Sequence, residues 1–154
     1  MRGVRITAVL AFCSCLAAPG LTAQTSLPDP CSLLTPAEVD AVVGIKSLPG
    51  RPFLGSKEIC LFSADTSSIS DQPVVNLMVG TVVMFQGQKS MGPHPVSGIG
   101  DEAYWIGSGN YAKVEVRKGS RAFSVSMAMG MQKKPLAQIE QMEEALARKV
   151  AARF

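Results

Sequence analysis

Glu102–Met129, EAYWIGSGNYAKVEVRKGSRAFSVSMAM, is the densest block of strand signal in this chain. It predicts three strands, Glu102–Gly107, Tyr111–Arg117 and Arg121–Met129. Ser108-Gly109-Asn110 and Lys118-Gly119-Ser120 connect them. Gly and Asn tolerate the positive φ that tight hairpins demand. Val114 and Val116 alternate with Lys113, Glu115 and Arg117. Phe123, Val125, Met127 and Met129 alternate with Ser124, Ser126 and Ala128. A period of two, apolar on one side and polar on the other, predicts an antiparallel meander with one wet face.

Upstream, Glu58–Ser63 and Val74–Thr81 read as further strands. The Ser-, Asp- and Thr-rich residues 64–73 form a loop between them. Val75, Leu77 and Val79 share one face, while Val74 and Met78 make the other apolar too. Val82–Gln86 either continues that strand or turns into a short helix. Gly87–Pro95 reads as a polar loop broken by Gly and Pro.

Helices are predicted at both ends. Thr35-Pro36-Ala37-Glu38 is a capping box, with Leu34 and Val39 placed as a hydrophobic staple. Val39, Val42 and Val43 form its inward stripe, and Gly44 supplies the left-handed exit. From Pro135 to about Arg153, Ile139, Met142, Leu146 and Val150 recur at helical spacing. Glu140, Glu143 and Glu144 lie early and Arg148, Lys149 and Arg153 late, as the helix dipole favours. The expected fold is a single α+β domain over residues 29–154. An antiparallel sheet of five or six strands is packed by a short N-terminal and a long C-terminal helix.

The first 23 residues read differently. Arg2 and Arg5 head an apolar run, Ile6–Ala18. Pro19-Gly20 breaks it, and Leu21-Thr22-Ala23 ends in a small residue. This is the pattern of a secretory signal peptide, with cleavage expected after Ala23 and a competing site near Ala18. The run is short for a transmembrane helix, which needs roughly 20 apolar residues. Ser14-Cys15 half fits a lipoprotein acceptor, so a lipid anchor at Cys15 is the minor alternative. Residues 24–28 are a polar tether. The expected location is secreted or periplasmic, with no transmembrane segment in the mature form.

Subtracting the leader changes the bulk numbers. Of 15 Lys plus Arg, 13 remain against 12 acids, a net charge of +1. That balance lacks the basic footprint of a nucleic-acid binder. Of four cysteines, Cys31 and Cys60 remain. An even pair in an oxidising compartment reads as a disulfide. A redox or metal pair is the alternative, but there is no Cys-x-x-Cys and no nearby His.

The most distinctive local string is Gly98-Ile99-Gly100-Asp101-Glu102-Ala103-Tyr104-Trp105. Its glycines resemble the start of a dinucleotide fingerprint. The third glycine is missing and a strand follows, so a turn capped by Asp101 is the better reading. Tyr104 and Trp105 point to opposite faces, one anchoring the core, with aromatic ligand contact as the alternative.

Taken together, Asp29-Pro30-Cys31-Ser32-Leu33-Leu34-Thr35-Pro36-Ala37-Glu38-Val39, Gly44, Cys60, Gly98–Trp105 and Val116-Arg117-Lys118-Gly119 resemble an uncharacterised family of exported bacterial domains. Its members are largely actinobacterial and often lipid-anchored, and it is a domain of unknown function. The likeness spans nearly the whole mature chain. It implies an extracytoplasmic α+β domain with one disulfide, on Cys31 and Cys60 here, and brings no catalytic residues.

Three chemistries are weighed against structural explanations. Met127, Met129 and Met131, with Met91 and His94 elsewhere, suggest Cu(I), since soft thioethers select it. Met127 and Met129 equally continue a buried stripe. His94, the single histidine, sits between Pro93 and Pro95 and could act with Asp101 or Glu102 in a small hydrolase. Asp101 and Glu102 diverge on a strand, poor geometry for a glycosidase pair. No zinc pattern occurs. The expected function is therefore non-enzymatic, with no catalytic residue, cofactor or metal assigned. The domain would bind a protein, an envelope component or a small ligand through the open sheet face or residues 87–95. Trp105, Tyr104, His94 and Asp101 are the candidate contacts.

Overall fold

A computed structural model describes residues 26–65, 73–91, 93–108, 111–127 and 134–154. The predicted leader 1–23, Cys15, Met129 and Met131 lie outside the described residues. The elements run α1 (Pro36–Val43), β1 (Arg51–Pro52), β2 (Ile59–Ser63), β3 (Pro73–Thr81), α2 (Val82–Lys89), β4 (His94–Val96), β5 (Glu102–Ser108), β6 (Tyr111–Lys118), β7 (Arg121–Met127) and α3 (Leu136–Ala151). Short 3-10 turns occupy Pro30–Ser32 and Phe53–Gly55.

The strands form one antiparallel sheet in the order β1-β2-β3-β7-β6-β5-β4. Seven strands replace the expected five or six. The two additions are the short edge strands β1 and β4, and β4 lies where a loop was expected. Such short segments carry too few residues to show a period. The meander is present as β5, β6 and β7.

One row of side chains crosses all seven strands: His94, Trp105, Val114, Val125, Leu77, Cys60 and Pro52. With Val79, Val116 and Phe123 it forms the apolar face on which the core is built. α3 covers this face along Ile139, Met142, Leu146, Ala147 and Val150. Leu146 and Val150 are fully buried, worth on the order of 2 kcal/mol each in apolar transfer.

α1 starts as expected. Thr35 Oγ1 accepts from Glu38 N, Glu38 accepts from Thr35 N, and Gly44 exits with φ 74°. Arg153 then grips Glu38, Nη1 to Oε2 at 2.8 Å and Nη2 to Oε1 at 2.7 Å, and also donates to Leu33 O. The end of the chain is thereby fastened to the start of α1. The Arg153 guanidinium holds the Glu38 carboxyl at about 2, well below its ordinary 4.5.

The second sheet face is not wet. α2 packs across β3, β6 and β7, and Phe85 stacks on Tyr104 with ring centroids 4.6 Å apart, beside Ile106 and Ala122. Lys113, Glu115, Ser124 and Ser126 are all buried on this side. The polar alternation of β6 and β7 marks one apolar face correctly, but says nothing of a helix laid over the other. The usable signal is in β5. Ala103 and Trp105 face one way and Tyr104 and Ile106 the other, all buried, so the strand is covered on both faces.

Candidate functional site

Of the four sequence-predicted contacts, His94 and Trp105 come together, while Tyr104 and Asp101 are engaged elsewhere. Trp105 lies in the main core and donates from Nε1 to Glu143 Oε2 at 3.2 Å. Tyr104 lies under α2, its hydroxyl donating to Phe85 O. Burial, with Glu115 and Glu102 nearby, pushes the phenol pKa up. Asp101 Oδ2 accepts from Gly119 N at 2.7 Å and meets Arg117 Nη1 at 3.4 Å, so it closes the β6–β7 turn. His94 is exposed on edge strand β4, its ring 6.2 Å from that of Trp105.

His94 shares the face of its partner Trp105, whereas Glu102, three residues from Trp105, projects from the opposite face. Glu102 is taken by Lys89 and by Arg117 Nε, and these cations, Lys89 first, lower its pKa. The geometry thus assembles no hydrolytic dyad from His94 with Asp101 or Glu102. Met127 is buried in the core, as its stripe predicts. Among the described residues no group of three or more His, Cys, Asp or Glu is placed to hold a metal ion.

Two buried carboxyl groups, one of them beside a buried lysine, were missed by sequence reasoning. Glu143, on α3, is fully buried and accepts from Trp105 Nε1 and from Met127 N, the latter at 2.8 Å. Burial raises its pKa to about 7, against the lowering pull of these two hydrogen bonds. The signal was in the stripe itself. Position 143 lies four after Ile139 and three before Leu146, on the buried face. Glu115 is likewise fully buried, with Lys113 Nζ 2.5 Å from its Oε1. Apart from that ion pair, neither Glu115 oxygen has a hydrogen-bond partner among the described residues. Burial raises its pKa, and the Lys113 ammonium opposes the rise.

Among the described residues, a pocket of about 400 Å³ opens at the β1 end of the sheet. Residues 27–31 form one wall, and Pro52 with residues 55–57 the other. The Cys31–Cys60 disulfide expected from the sequence is formed and joins the first wall to β2. Gly50 lies so close that a Cβ there would stand 2.6 Å from Cys60 Sγ. The first wall is shaped by its own turn: Asp29 Oδ1 accepts from Cys31 N at 2.9 Å, and Ser32 Oγ donates to Asp29 O at 2.7 Å.

The rim beside the pocket is unusual. Leu54 is 90% exposed, and among the described residues it alone has positive φ, 49°, without being a glycine. Phe53 is 43% exposed and Leu48 39%. Half of the exposed large hydrophobics of the described residues thus fall within Leu48–Leu54. Backbone strain and exposed apolar side chains, as at Leu54, are features of binding sites. The sequence does not show this pocket, because the two walls are separated by some 20 residues and meet only in the fold.

A scan against protein-family models matches none, and no curated protein matches the chain. Among the described residues no helix is long and apolar enough to cross a membrane.

Proposed function

We propose that this chain is an exported binding module whose ligand occupies the pocket between residues 27–31 and 55–57. The observation that carries the reading is the disulfide-joined pocket itself. Its volume, about 400 Å³, falls in the range of small-ligand sites, and strained, exposed Leu54 stands at its edge. Export is supported by the leader-like pattern of residues 1–23 and by the Cys31–Cys60 disulfide, which persists in oxidising compartments. Membership of the exported domain family of unknown function belongs to the same reading and rests on the motifs quoted above.

Backbone amide NMR of the oxidised full chain against a fragment library tests the site. Binding fragments are expected to shift amides clustered in residues 27–33 and 53–58. A library whose hits all map to β4 or α2, or that yields no hits, rules the pocket out.

A further inference from the structure

The lining of the pocket narrows the chemistry of what it takes. Pro28, Pro30 and Pro52 contribute no backbone N–H, and Leu27 adds a further apolar side chain. Three of the nine lining residues therefore bring no amide donor that an entering hydrocarbon would have to desolvate. Asp29 lines the same wall, but its Oδ1 is engaged by Cys31 N.

The opposite wall carries side-chain donors. Ser56 Oγ accepts from Glu58 N at 3.1 Å, which leaves its own hydroxyl proton for a ligand. Lys57 is exposed, and no ion pair engages it among the described residues. An ammonium and a hydroxyl donor facing a proline-rich wall suit an acceptor-rich, negatively charged group. Phe53 and Leu54, held out beside the same slot, offer apolar surface to a chain on its way in.

We propose that the pocket takes an anionic amphiphile, with its hydrocarbon end against Leu27 and the prolines and its head group on Lys57 and Ser56. This rests on the pocket being the binding site. The head group fits a free fatty acid and an anionic membrane lipid equally, and the test separates them.

The experiment uses amide-resolved NMR on the oxidised full chain, so that amphiphile binding to the apolar leader is read apart from the pocket. Dodecanoate is added below its micelle concentration. In parallel samples, dodecyltrimethylammonium or vesicles of phosphatidylcholine and phosphatidylglycerol (3:1) are added. Dodecanoate should shift residues 27–33 and 53–58, and Lys57→Gln should weaken it roughly fivefold. Response to dodecanoate alone supports a free amphiphile, and response to vesicles as well supports a membrane lipid. Equal affinity for the cationic amphiphile, or no shift at these residues with any of the three, overturns the proposal. If library fragments still bind the pocket in that case, the binding-module reading survives and only the amphiphile is lost.

Discussion

Glu143 Oε2 lies 3.2 Å from Trp105 Nε1, so a fully buried carboxylate on α3 is read directly by the only tryptophan of the chain, on β5. Its other oxygen holds Met127 N at the end of β7. One side chain therefore ties the long helix to two strands. Glu143→Gln keeps the size but turns an amide NH₂ towards one of two donors. We expect a loss of about 1–3 kcal/mol in urea unfolding. An unchanged midpoint would mean that the two hydrogen bonds carry no net stability.

The pH dependence follows from opposed shifts. The Glu143 pKa is raised to about 7 from 4.5 by burial, so the folded state holds a proton that the unfolded state has released. Stability from this group is full below 4.5 and is lost as pH rises through 7, on the order of 3 kcal/mol in all. Glu115, raised by burial, acts in the same direction. The Glu38 pKa is lowered to about 2 by Arg153, so its contribution is present above 4.5 and lost as pH falls towards 2. At that surface position screening reduces it to about 1 kcal/mol. Stability should peak near pH 4–5. Chemical denaturation from pH 3 to 9 checks this, and Glu143→Gln should flatten the alkaline limb. A maximum above pH 7 would contradict the assignment.

Removing the Lys113 partner leaves Glu115 buried with its charge uncompensated. Lys113→Ala is expected to cost about 3–5 kcal/mol. The double change Lys113→Met with Glu115→Leu removes both charges and should restore most of that loss or exceed the parent. Thermal unfolding of the two variants decides. If the single variant is neutral, the pair is solvated and α2 does not seal this face.

Replacing Cys31 and Cys60 by Ser opens a loop of about 30 residues, and the chain-entropy model gives a loss of about 3.5 kcal/mol. The wall at residues 27–31 should loosen first, since its hydrogen bonds are mostly within its own turn. Amide exchange of the double variant should rise at residues 31–33 before the core strands. Uniform exchange across the sheet would show that the disulfide stabilises the whole fold without shaping the pocket.

Gly100 sits with φ 61°, and a Cβ there would meet Arg117 O at 2.5 Å. Gly100→Ala should therefore destabilise by at least about 1–2 kcal/mol, through the left-handed backbone and the clash together. Gly98, with φ 75°, has open space around its missing Cβ. Gly98→Ala should cost less, and equal losses would remove the contact from the explanation.

Much of this fold is legible from local pattern. The Thr35 capping box, the Gly44 exit, the three long strands of the meander and the α3 stripe each have a periodicity or cap that acts within a few residues. Reading failed where burial depends on a distant element. Lys113, Glu115, Ser124 and Ser126 carry the alternation of a solvated face, yet all four are buried on the side where α2 packs. The pocket was hidden for a similar reason: Pro30 and Lys57 are neighbours through a disulfide, and no local rule brings them together. The aromatic pair Tyr104-Trp105, prominent in sequence, is used for packing on opposite faces of the sheet.

The sheet stops on both sides in the same manner. β1 is two residues long and contains Pro52; β4 is three residues long and contains Pro95. Neither edge offers a run of free amides long enough to template another strand, and each proline deletes a donor. Adding a foreign strand, or stacking copies edge to edge into fibres, is thereby obstructed at both margins. The domain's own sheet borders thus act as its protection against aggregation.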